Sequence, residues 1–132
     1  MHQSTAELPA KVETPDATIQ RVDEFGALDG EAFDAVRGTM APRVDVTGLL
    51  DGLEGDLCQC PHWGYIVDGS VHVRYTDGTE EVNEAGEVVY WPPGHTILTE
   101  DESVEFVLFS PRDEHGRVLD HLEEKVREME AD

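Results

Sequence analysis

The alternation of apolar and polar positions is clearest after Cys58. Tyr65-Ile66-Val67 leads into Asp68-Gly69, and Val71, Val73 and Tyr75 then alternate with His72 and Arg74 before Asp77-Gly78. A period of two marks a half-buried strand, and Asp-Gly dipeptides are strong hairpin signals, so this stretch predicts two turns in close succession. Residues 80–83 are short and polar and predict an edge strand. Ala85-Gly86 turns into Val88-Val89-Tyr90-Trp91, which Pro92-Pro93-Gly94 stops. Further strands are predicted at 96–99 and 104–109, the second halted by Ser110-Pro111.

Upstream the pattern is weaker. Strands are predicted at 17–22 and 33–40, the latter ended by Ala41-Pro42, and Gly48, Gly52 and Gly55 punctuate a loop after them. Residues 1–16, with Pro9 and Pro15, predict an irregular N-terminal arm. Past Pro111, the residues Val118, Leu119, Leu122, Val126 and Met129 recur at helical spacing, which predicts an amphipathic C-terminal helix over 113–132 lying on the outside of the strands. His115 and His121 flank its start and, six residues apart, read as surface histidines rather than a metal pair. Short strands at regular spacing, with no helices between them, predict an all-β sandwich or barrel over 17–112, a single domain.

Charge changes the picture of partners. The 132 residues carry 9 basic and 30 acidic side chains, a net charge of −21. The acids are dispersed, giving an acidic surface consistent with a halophilic source or with an ordinary acidic bacterial protein. Nucleic acid is disfavoured, because phosphate contacts need clustered Lys and Arg. No apolar run reaches the ~18–20 residues of a membrane span, and the first residues lack a signal-peptide pattern, so a cytoplasmic, membrane-free location is expected.

The candidate chemistry lies in Cys58-Gln59-Cys60-Pro61-His62-Trp63-Gly64-Tyr65. On an extended segment, Cys58, Cys60 and His62 point to one side. Thiolate and imidazole together suit a transition metal, with zinc first and copper or iron as alternatives. On a flat strand, however, positions 58 and 62 would lie about 13 Å apart. All three can converge only if Pro61 bends the chain; otherwise two of them bind with help, for which His95, after Trp91-Pro92-Pro93-Gly94, is the candidate. The bland alternative makes the cysteines buried structural thiols and His62 a satisfied core histidine. Tyr65, Tyr90 and Trp91 are candidates to line a pocket mouth, or simply core.

Gly86, five residues, then Pro92-Pro93-Gly94 resembles the second sequence motif of the cupins, and the residues leading to Gly69 resemble a substituted first motif. In that alignment Asp56 and Cys58 fall on the two motif histidines, His62 on the glutamate, and Ile97 on the final histidine, with His95 two residues earlier on the same face. The chain is similar to small stand-alone cupins with Pro-His-Trp-Gly-Tyr and Trp-Pro-Pro-Gly-His segments. The resemblance implies a cupin-type antiparallel β-barrel (jelly roll) and a homodimer; Cys60 has no counterpart in it, and the expected transition-metal site for a small molecule, at Cys58 and/or Cys60, His62 and His95, rests on the residues themselves. A non-catalytic ligand-binding barrel, or a redox sensor using the two cysteines, is the alternative function.

Overall fold

The structure, a computed structural model, describes residues 1–131. Nine strands precede one helix: β1 (Ala10–Glu13), β2 (Ala17–Val22), β3 (Ala27–Leu28), β4 (Glu31–Met40), β5 (His62–Tyr75), β6 (Glu80–Glu84), β7 (Val88–Trp91), β8 (His95–Leu98), β9 (Val104–Pro111) and α1 (Arg112–Ala131). Every strand pairing is antiparallel, along the path β1-β2-β4-β9-β5-β6 with β3, β7 and β8 attached. The path is open rather than closed into a hydrogen-bonded ring. The expected irregular arm contains β1, an edge strand held on β2, with Val12 buried.

β5 organises the molecule because it serves two sheets. Its first half pairs with β7 and β9, and its second half with β6 and β8. Asp68-Gly69, expected as a hairpin turn, lies inside this one strand. The chain continues along β9, with Asp68 opposite Glu105 and Gly69 opposite Val104, and relieves the mismatch as a bulge between Ile66 and Asp68. Gly69 sits at φ +75°, and a Cβ there would overlap the Ser103 carbonyl, so only glycine permits the close approach. The bulge also shifts which positions face inward: His62 and Ile66 are buried before it, Val71 and Val73 after it. Asp77-Gly78 does form a turn, closed by Tyr75 and Thr79 backbone bonds and by the Asp77 carboxylate accepting from Thr79.

The inner face of the larger sheet carries Asp34, Val36 and Met40 of β4, Phe106, Leu108 and Ser110 of β9, and His62 and Ile66 of β5, all buried. Gly38 leaves room for the Phe106 ring beside it. α1 presents His115, Val118, Leu119 and Leu122 to this interior. The helix therefore does more than lie outside the strands, as its amphipathic pattern predicted: its apolar face lines the internal cavity. No helix among the described residues is long and apolar enough to cross a membrane.

Candidate metal centre

The chain bends at Cys60, before Pro61, and this bend brings the residues on either side together. Cys58 is bridged to His95: its N–H donates to the His95 carbonyl at 2.9 Å and its own carbonyl accepts from His95 at 3.2 Å and from Gly94 at 2.8 Å. Gly94 adopts φ +88° to make that turn. His62, the first residue of β5, is fixed from the other side by pairing with Trp91 of β7. As a result the ligand atoms of Cys58, His62 and His95, all buried, lie within 4.8 Å of one another. β8 itself pairs with residues 72–75, so Cys58 reaches His95 through its own bridge, and the His62 ring lies 5.0 Å from that of His95.

The donor set fits a tetrahedral ion. Zn–S and Zn–N bonds of ordinary length at a tetrahedral angle separate the two ligand atoms by about 3.6 Å. Cys58 Sγ and His62 Nε2 are 3.5 Å apart. The remaining ring nitrogens are already occupied in the way metal-binding histidines require. His95 Nδ1 donates to the Pro92 carbonyl at 2.7 Å, which leaves Nε2 of the neutral ring as the lone-pair atom. His62 Nδ1 pairs with Ser110 Oγ at 2.6 Å, leaving Nε2 toward Cys58.

Electrostatics without an ion keep the three groups neutral. Burial pushes the Cys58 thiol up to about 11. Burial, then the neighbouring His115 and His95, hold His62 well below the ordinary imidazole value. Burial first, with His115 adding to it and the Pro92 carbonyl opposing, lowers His95 to about 4. Neutral imidazoles are the ligating form, and a metal would have to displace the thiol proton.

Cys60 stands apart from this group. The bend turns its sulfur toward the Pro61 carbonyl at 3.4 Å, and it is 1% exposed. Burial is the main cause raising its thiol above the ordinary value, with Cys58, Glu114 and Asp34 adding to it. Asp56, aligned with a motif histidine, is exposed and accepts from the Gly52 N–H. Of the aromatic candidates, Trp91 is buried against the cavity, its Nε1–H donating to Asn83 at 2.8 Å. Tyr65 and Tyr90 instead lie on the outer face, 45% and 49% exposed: odd positions of β5 before the bulge point away from the interior, and Tyr90 of β7 pairs with one of them, Trp63. They do not line the cavity.

Three residues were missed. His115, read as a surface histidine, is buried with its ring 4.6 Å from that of His62. The signal was present: 115, 118, 119 and 122 share one helical face, and the comparison with His121 obscured it. His115 Nδ1 contacts Asp34 Oδ2 at 2.7 Å, and the same oxygen accepts from Arg21 Nε at 2.9 Å. Asp34 is fully buried inside an otherwise apolar part of β4, and its Oδ1 has no hydrogen-bond partner among the described residues. Ser110, which pairs with His62, lies within β9 past its apolar run and carried no sequence signal, because Ser110-Pro111 reads as the end of the strand.

The centre opens on a cavity of about 490 Å³ walled chiefly by apolar side chains from β4, β9 and α1. That volume is within the range of small-molecule sites.

No family model matches the sequence, and no curated protein matches it. Solved structures do share its architecture. The polyketide cyclase RemF of Streptomyces resistomycificus superposes with a TM-score of 0.58 at 17% identity, over 85% of this chain and 79% of the cyclase. Oxalate decarboxylase of Bacillus subtilis gives 0.54 at 19% identity over 83% of this chain, which spans only 28% of the decarboxylase. Ethanolamine utilization protein Q of Salmonella typhimurium gives 0.50 at 19% identity, over 73% and 70% of the two chains. The chain has the cupin fold. The Bacillus decarboxylase carries Mn(II) centres. Within this cupin fold, the Cys58–His62–His95 cluster offers a sulfur-containing donor set, which suits softer metals than a site of oxygen ligands.

Proposed function

We propose that this chain is a small metal-binding cupin-fold protein that holds one transition-metal ion through Cys58, His62 and His95 and binds a small molecule in the adjoining cavity. The convergence of three buried donor atoms within 4.8 Å at one end of an apolar cavity carries this reading. Zinc is the expected ion, since a thiolate and two imidazoles match its preferences. Three protein ligands leave an open position, which characterises catalytic rather than structural zinc sites, and a bound ion would supply Lewis-acid polarisation there. The chain's own residues do the rest: Ser110 and the Pro92 carbonyl hold the two rings, and the walls exclude water. Cobalt(II) substitution tests the donor set. Sulfur-to-cobalt charge-transfer absorption that disappears in Cys58→Ser and survives in Cys60→Ser supports it; the reverse dependence overturns the assignment of Cys58.

A second reading, a non-catalytic ligand-binding barrel with structural thiols, draws support from the Cys58 thiol being pushed up to about 11. A neutral buried thiol beside an apolar cavity needs no ion. Metal content separates the two.

The proposal extends to a homodimer. The outer sheet face presents Trp63, Tyr65, Val67, Val88, Tyr90 and Phe109, between 41% and 83% exposed. Trp63 stacks on Tyr90 with ring centroids 5.2 Å apart. These six side chains offer roughly 600 Å² per copy, so a two-fold pair would bury about 1,200 Å², enough for a specific interface. On a chain of net charge −21, two like-charged copies can meet most readily through such an uncharged face.

A further inference from the structure

We infer that the cavity takes an uncharged, largely apolar molecule carrying a hydroxyl group at its inner end, with His115 as the residue that binds that hydroxyl. The inference rests on the proposed small-molecule site and names its ligand chemistry.

His115 enters the interior from α1 and lines the cavity beside His62. Its ring is fixed: Nδ1 contacts Asp34, which Arg21 holds in turn, and Arg21 is anchored on the Arg112 carbonyl at 2.9 Å. Nε2 has no protein partner among the described residues and is absent from the buried polar atoms lacking one, so it faces accessible space. A hydroxyl, which both donates and accepts, satisfies that nitrogen whichever proton it carries. Beyond this end the walls are apolar, formed by side chains such as Met40, Phe106, Leu108, Leu119 and Leu122.

The entrance sets the charge of the ligand. Asp16, Asp45 and Glu130 line the cavity where it opens, and all three are exposed. No Lys or Arg lines it among the described residues. A carboxylate would pass three like charges and then lose its hydration between apolar walls, with no cationic side chain to pair with. A divalent ion held by the Cys58 thiolate and two neutral imidazoles would keep one net positive charge, which the three entrance carboxylates outnumber. An uncharged molecule meets neither obstacle.

Calorimetric titration of the purified protein with 4-butylphenol, 4-butylbenzoate and butylbenzene tests this. The expected order is butylphenol at least about tenfold tighter than each of the others, the benzoate losing to charge and the hydrocarbon to the missing hydrogen bond. His115→Leu should bring butylphenol down to butylbenzene. Should that variant fail to fold, the surface variant Asp16→Lys/Glu130→Lys still decides: butylbenzoate should gain at least about threefold while butylphenol stays unchanged. Butylbenzoate binding as tightly as butylphenol, butylphenol binding no tighter than butylbenzene, or binding of none of the three overturns the inference. Metal content measured on the same samples keeps the two readings apart. Metal with the wrong ligand order refutes only this inference, whereas the right order without metal refutes only the metal centre.

Discussion

Cys58 and His95 exchange two backbone hydrogen bonds, at 2.9 Å and 3.2 Å, and thereby hold their side chains at one point between two otherwise separate stretches of chain. The Gly94 turn and the bend at Cys60 make this bridge, and His62 completes the cluster from the start of β5. The centre is thus set by main-chain geometry, and side-chain changes should alter its affinity before they alter its shape.

Ser110 provides the mildest test of that view. It is fully buried, and its Oγ pairs with His62 Nδ1 at 2.6 Å. Ser110→Ala should lower metal affinity by about 10-fold or more while the fold persists, as loss of an outer-shell partner does elsewhere. Competition with a chromophoric chelator measures it; unchanged affinity would show that Ser110 does not orient the ring.

Acid should destabilise the metal-free protein in a defined window. The folded state holds His95 at about 4 and His62 well below its ordinary value, whereas the unfolded chain takes up protons near 6.5. Because the unfolded state binds more protons, stability is retained above that value and falls as pH drops from about 6.5 toward 4, by roughly 3 kcal/mol from His95 alone. Thermal melting in the presence of a chelator should show the decline, and a flat profile across the window would contradict the burial of neutral imidazoles.

Trp63→Asp addresses the outer face. The substitution places a charge at the centre of the aromatic patch, while Val82→Asp alters an exposed apolar residue on β6. Sedimentation equilibrium should give a dimer for the unaltered protein and for Val82→Asp, and a monomer for Trp63→Asp. A monomeric unaltered protein would remove the homodimer.

The sequence carried much of this architecture because most strands end at residues with their own backbone preferences. Pro92-Pro93-Gly94 and Asp77-Gly78 turn as expected, and α1 follows the spacing of Val118, Leu119 and Leu122. Asp68-Gly69 misled because a dipeptide suited to a turn equally suits a bulge, and only the long-range pairing with Glu105 and Val104 decides between them. That bulge changes the parity of β5, so alternation counted back from Val71 and Val73 puts Tyr65 inward, whereas counting from His62 puts it outward, where it lies. Cys60 joins the ligands only on an extended chain, and the bend at that residue breaks the alternation. The Asp34–His115 pair joins β4 to α1 across the interior, a contact between distant segments that no short pattern reports.

Elemental analysis by mass spectrometry tests the central claim most directly, on protein purified without a histidine tag or chelator, beside a Cys58→Ala/His62→Ala variant. The account predicts close to one transition-metal ion per chain in the unaltered protein and little in the double variant. A folded, metal-free protein, or a double variant that keeps its full metal content, would contradict it.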